Sequence, residues 1–95
     1  MIIVRESFIA KPGMAGKLAK MFKAVFGEMP DAGKIKIMTD LTGKFNQVVI
    51  ETEMDNLSSL ETRMRDYMSN SAMHDKMAGY TEMYKNGKRE IYQIV

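Results

Sequence analysis

There is no cysteine and no tryptophan in this 95-residue chain, only one histidine and only two prolines. Without cysteine there are no disulfides, no thiolate nucleophile and no sulfur ligand for zinc. With His74 as the sole imidazole, a zinc site of the usual nitrogen and sulfur donors is excluded as well. No apolar run approaches the roughly 20 residues that a membrane-spanning helix needs. The first residues, Met-Ile-Ile-Val-Arg-Glu, have no basic stretch ahead of an apolar one and no small-residue cleavage site. No signal peptide is therefore expected, and the lack of cysteine suits a reducing cytoplasm.

Charge is also unremarkable in one direction. Fourteen basic and twelve acidic residues leave a net +2. Much of the basic excess sits at Lys11, Lys17, Lys20 and Lys23, where a solvated helix face is expected. With neither an aromatic RNA-binding signature nor an arginine cluster, no nucleic-acid partner is expected. At this length the whole chain, residues 1–95, makes one domain.

What is present is a periodic pattern. Residues 2–10 are rich in β-branched and aromatic types and read as a first strand. Lys11-Pro12-Gly13 ends it. Met14, Leu18, Met21, Phe22 and Val25 then form one helical stripe, with Gly27 as a cap. Residues 28–33, with Pro30 and Gly33, read as a loop. Residues 34–39 alternate as a second strand, Thr42-Gly43-Lys44 turns, and residues 45–54 give a third strand in hairpin with the second. Asp55 or Asn56 caps a second helix with the stripe Leu57, Leu60, Met64, Tyr67 and Met68. Ser69-Asn70-Ser71, three cap-forming residues, predicts a kink or a break into two helices. Met73, Met77, Tyr80 and Tyr84 resume a helical stripe, Asn86-Gly87 signals a turn, and residues 89–95 form a fourth strand. The order β-α-β-β-α-β predicts an α+β, ferredoxin-like sandwich: a four-stranded antiparallel sheet with helices on one face.

Two helices cover only one face of such a sheet. Yet the strands are apolar on both sides: Ile2, Val4 and Phe8 against Ile3 and Ile9, and Val48 and Ile50 against Val49. A face open to water alternates more cleanly. A second copy of the chain is therefore the expected partner, through an interface that also contains Arg5, Lys36, Gln47, Glu51 and Glu53.

With this element order, three stretches carry a resemblance: Ile37-Met38-Thr39-Asp40-Leu41-Thr42-Gly43, Met77-Ala78-Gly79-Tyr80, and Asn86-Gly87-Lys88-Arg89-Glu90-Ile91-Tyr92. The chain resembles the dimeric α+β barrel superfamily, nearest to NIPSNAP-like and antibiotic-biosynthesis-monooxygenase-like small proteins. The resemblance spans the whole chain and implies two protomers whose sheets face each other, each with a cleft between sheet and helices. It implies chemistry as different as cofactor-free oxygenation of aromatic compounds, lactone isomerisation and haem breakdown, so fold leaves function open. Haem-degrading members use an Asn, a Trp and an iron-binding His. This chain has no Trp, and only His74 stands near such a ligand's position.

Six residues are candidates for a site. His74 flanks the second helical stripe, as a boundary residue or as a proton carrier. Tyr80 and Tyr67 offer phenols, either to orient a substrate oxygen or to lie in the core with the hydroxyl at the rim. Phe22, Met64 and Met77 are either ordinary core residues or the adaptable walls of a pocket. Paired carboxylates at Asp40, Glu51 and Glu53 are expected to meet Arg5, Lys36 or a partner chain. No cofactor and no metal are expected. The reading is a small-molecule-binding protein for an apolar or aromatic compound, either a cofactor-independent monooxygenase or isomerase, or a non-enzymatic homodimeric binding or stress-related module. Haem binding through His74 is the remaining alternative.

Overall fold

A computed structural model of the chain describes residues 1–29 and 34–95. The loop expected at Pro30 to Gly33 lies outside the described residues. The elements run β1 (Ile2–Ala10), α1 (Ala15–Phe26), β2 (Ile35–Thr39), β3 (Gln47–Met54), α2 (Leu57–Ser69), α3 (Ser71–Lys76), a single 3₁₀ turn (Tyr80–Glu82) and β4 (Tyr84–Gln93). The strands form one sheet in the order β2-β3-β1-β4, every neighbouring pair antiparallel. The ferredoxin-like order follows from two crossovers, each of which returns a strand parallel to its predecessor with one strand between them.

Register decides which side chains face the helices. Phe8 lies opposite Val48, Glu6 opposite Ile50, Val4 opposite Thr52 and Ile2 opposite Met54. Strand alternation sends these rows to the helix side. There Ala10, Val48 and Ile50 close against Leu18, Phe22 and Val25 of α1 and against Met77. A smaller cluster of Ile2, Val4 and Met54 sits at the other end, beneath Leu60 of α2. Between β2 and β3, Asp40 accepts from the Gln47 amide at 2.9 Å and Asn46 adopts φ 63°. That short cap makes Phe45, 86% exposed, part of the turn, so β3 starts two residues later than its apolar run suggests.

The break at Ser69-Asn70-Ser71 is present. Asn70 takes extended angles, ends α2 by donating its amide to the Tyr67 carbonyl, and starts α3 by accepting from the Met73 amide. Two expectations fail beyond it. The stripe Met73-Met77-Tyr80-Tyr84 is not one helix, because Gly79 at φ 84° stops it and leaves Tyr80 in the 3₁₀ turn and Tyr84 in β4. All four still pack on the core. Asn86-Gly87 is not a turn either. Both residues continue β4, paired with Ile9 and Phe8. Gly87 is needed there for close approach: a Cβ at 87 would stand 3.0 Å from Cδ1 of Phe8.

The opposite sheet face carries a row of alternating charge, Lys36-Glu51-Arg5-Glu90, running across all four strands. Arg5 bonds Glu51 at 3.0 Å and lies over the ring of Tyr92. Ile3, Ile9, Met38 and Val49 occupy the rows on either side of it. None of the described helices is long and apolar enough to cross a membrane.

Candidate functional site

The helix side of the sheet is not filled evenly. Helix α1 sinks Leu18, Phe22 and Val25 into full burial, whereas α2 has no fully buried residue. The stand-off leaves a cavity of about 260 Å³ between α2 and the sheet. Its floor comes from Phe8, Ile50 and Met54, its α1 side from Phe22 and Phe26, and its roof from Leu60, Met64 and Met68. Met77 closes the end beyond Asn70. Phe22 is fixed by ring contacts to Phe8 (5.1 Å between centroids), Phe26 (6.0 Å) and Tyr80 (6.2 Å). Tyr84 extends this wall, 5.0 Å from Phe8 in an edge-on contact.

Of the six candidates, Tyr67, Tyr80, Phe22, Met64 and Met77 all line this cavity. His74 does not stand among the lining residues. It is exposed on α3, stacked on Tyr67 at 4.8 Å, with Nε2 donating to the Tyr67 carbonyl at 2.8 Å. That bond uses the ring nitrogen to hold α3 to the end of α2. Burial pushes the Tyr67 phenol pKa up. Burial is also the main cause of the rise at Tyr80, with smaller contributions from Tyr84, Tyr67 and Glu6. Both phenols therefore remain neutral hydroxyl donors across the physiological range.

Three charged residues that the sequence reading passed over also reach the cavity: Glu6, Arg63 and Arg89. Glu6 lies on β1, the strand flanked by β3 and β4, and faces the helices. Arg89, its cross-strand neighbour on β4, bonds it at 3.0 Å and also touches the Met64 sulfur at 3.9 Å. Arg63 enters from α2. Burial lowers its pKa from the usual arginine value, opposed by the charge of Glu6. A signal for this group was present. Glu6 shares its parity with Ile2, Val4 and Phe8, and Arg63 is three residues from Leu60 and four from Tyr67 on the apolar stripe.

The carboxylates of the other face have ordinary uses. Glu51 takes Arg5, and Asp40 caps the hairpin. Among the described residues, no three His, Asp or Glu side chains stand together as a metal site would need.

No protein-family model matches the chain, and no curated protein matches it. Solved structures do. An uncharacterized NIPSNAP domain protein from Burkholderia xenovorans superposes with a TM-score of 0.80 at 10% identity, over 100% of this chain and 95% of its own. A NIPSNAP family protein from Agrobacterium tumefaciens gives 0.82 at 14% identity, over 100% and 94%. A protein of Chloroflexus aurantiacus named after the antibiotic biosynthesis monooxygenases gives 0.76 at 15% identity, over 99% and 92%. The chain has the fold of these NIPSNAP and monooxygenase-like proteins. At such identities the likeness is one of fold.

Proposed function

We propose that the chain binds a small apolar or aromatic compound in the cleft between α2 and the sheet. The observation that carries this is the cavity itself, about 260 Å³ in a domain of 95 residues, walled by aromatic and methionine side chains. It exceeds the ~150 Å³ that suffices for benzene in an engineered apolar cavity. A few polar groups among apolar walls is the usual make-up of a ligand site. Methionines at 64, 68 and 77 adapt to a flat guest at little cost.

The test is titration of the full chain with 2-naphthylmethanol, read by calorimetry, beside Met64→Trp. Met64 is 39% exposed on the cavity roof, so the larger ring enters the cleft without displacing core. Saturable binding that Met64→Trp weakens at least tenfold is expected. Heat without saturation, or equal affinity in the variant, would sink the reading.

For the finer reading, cofactor-free oxygenation or isomerisation of the bound compound, the support is the fold shared with proteins named for monooxygenases. In that chemistry Tyr67 and Tyr80 orient an oxygen of the substrate, and Glu6 is the cleft's carboxylate for proton transfer. A proton carrier at His74 would need to reach past the carbonyl it now holds. The position of His74 outside the lining favours the second reading, a binding module without turnover. Oxygen uptake with a hydroxylated polycyclic aromatic tests the oxygenation: sustained consumption, reduced by Tyr80→Phe, makes it an enzyme.

The partner proposed for the open sheet face is a second copy of the chain. The row Lys36-Glu51-Arg5-Glu90 alternates in sign and is self-complementary when reversed, and Ile3, Met38 and Val49 flank it. Sedimentation should give twice the 10.8 kDa chain mass. A monomer at working concentration overturns this assembly.

A further inference from the structure

We infer that the cleft roof is an oxidation site: transfer of oxygen from a peroxide to the thioethers of Met64 and Met68 turns the roof polar and expels an apolar guest. The loss of the guest rests on the small-molecule reading above. The starting observation is a division among the sulfur atoms of one cavity. The chain has eleven methionines and no cysteine, so all its sulfur is thioether. Met54 and Met77 line the cavity from within the core, at 7% and 5% exposure, whereas Met64 and Met68 line it from α2 at 39% and 72%. Met64 and Met68 stand four residues apart and so share one side of the helix. A thioether has no proton to lose. Unlike a thiol, it needs neither a low pKa nor a neighbouring base to be oxidised, and access to the oxidant sets the order.

The step balances with the peroxide alone. A sulfur lone pair attacks one oxygen of hydrogen peroxide, and the S–O bond forms as the O–O bond breaks. The departing hydroxide takes the proton of the transferred oxygen and leaves as water. Sulfur is oxidised by two electrons and the peroxide is reduced by two. The product is a sulfoxide, whose oxygen is a strong acceptor where the thioether was a weak one. Seating an apolar guest against that oxygen strips its water and returns no bond, which opposes binding at Met68 and Met64 alike. Arg89 adds a second effect at Met64. Its Nη2 is bonded to Glu6 at 3.0 Å, while its Nη1 meets the Met64 sulfur at 3.9 Å. An oxygen on that sulfur accepts a charge-assisted hydrogen bond from Nη1 and ties α2 to β4 across the cleft. The adaptable side chain of the roof thereby becomes a polar tie.

The test treats the full chain with hydrogen peroxide and follows each methionine by peptide mass spectrometry. Met68 and Met64 should gain oxygen at least tenfold faster than Met54 and Met77. The oxidised chain should then bind 2-naphthylmethanol at least tenfold more weakly than the untreated chain, with an unchanged far-UV circular dichroism spectrum. Methionine sulfoxide reductases for both epimers should restore the affinity. Met1 and Met38, which are exposed outside the cavity, remain in the double variant Met64→Leu, Met68→Leu. Peroxide should change the affinity of that variant less than twofold from its own untreated value. Equal oxidation of the inner and outer sulfurs would overturn the inference while the cleft remains a binding site. So would an affinity that peroxide leaves intact, a loss that persists in the double variant, or a collapse of the far-UV signal. If the untreated chain does not bind the alcohol saturably, both this inference and the reading beneath it fall.

Discussion

Helices α1 and α2 cover the same sheet face and are nearly equal in length, at 12 and 13 residues. They do opposite things. Helix α1 presents Leu18, Phe22 and Val25 on one stripe and buries all three. Helix α2 presents a similar apolar stripe but mixes Arg63 into it, leaves Met64 39% and Met68 72% exposed, and stands above a cavity. One helix completes the core and the other roofs a space. The two helices thus contribute unequally, although Phe22 of α1 belongs both to the core and to the cavity wall.

Breaking this comparison begins with truncations. Phe22→Ala removes a fully buried ring on α1 and should cost about 3–5 kcal/mol in urea unfolding. Met64→Ala on α2 should cost less than about 1 kcal/mol, because its side chain is already part-solvated beside an existing void. Comparable losses at the two positions would mean that α2 packs as tightly as α1.

A smaller effect should appear at high pH. Burial holds the Tyr67 and Tyr80 phenols above their ordinary value of 10.0. The unfolded chain then releases these protons before the folded chain does. Stability is thus unaffected by them below about pH 10 and falls as pH rises through the higher folded values. A Tyr67→Phe, Tyr80→Phe double variant should lose stability less steeply above that pH. An unchanged slope would remove the phenols from a desolvated site. The smallest effect belongs to the other sheet face. Arg5→Ala, which breaks the half-exposed pair with Glu51, should change stability of the isolated chain by no more than about 1 kcal/mol.

The order of elements was legible because each long segment repeats at one period. Leu18, Phe22 and Val25 mark α1 unaided, and Asn70 marks the break after α2 by its capping chemistry. The errors fall where a distant contact decides. Asn86-Gly87 looks like a turn from its own composition, and only Phe8, nearly eighty residues away, makes it strand. Tyr84 fits the helical spacing of Met77 and Tyr80, but Gly79 redirects the chain between them. The apolar members of the site could be read from their stripes. The charged members were harder to see, because Glu6, Arg63 and Arg89 come from three elements and mean little until β1, α2 and β4 are brought together.

The missing side chain at Gly87 has an effect beyond pairing two strands. The Phe8 ring occupies the place a methyl group would claim, and the same ring is part of the chamber's floor. Position 87, directly across the ladder from Phe8 and on the same sheet face, thus sets how much room that ring has on the β4 side. Any larger residue there must displace the ring, which also packs against Phe22 and Tyr84. The shape of the chamber therefore depends on a position outside its lining.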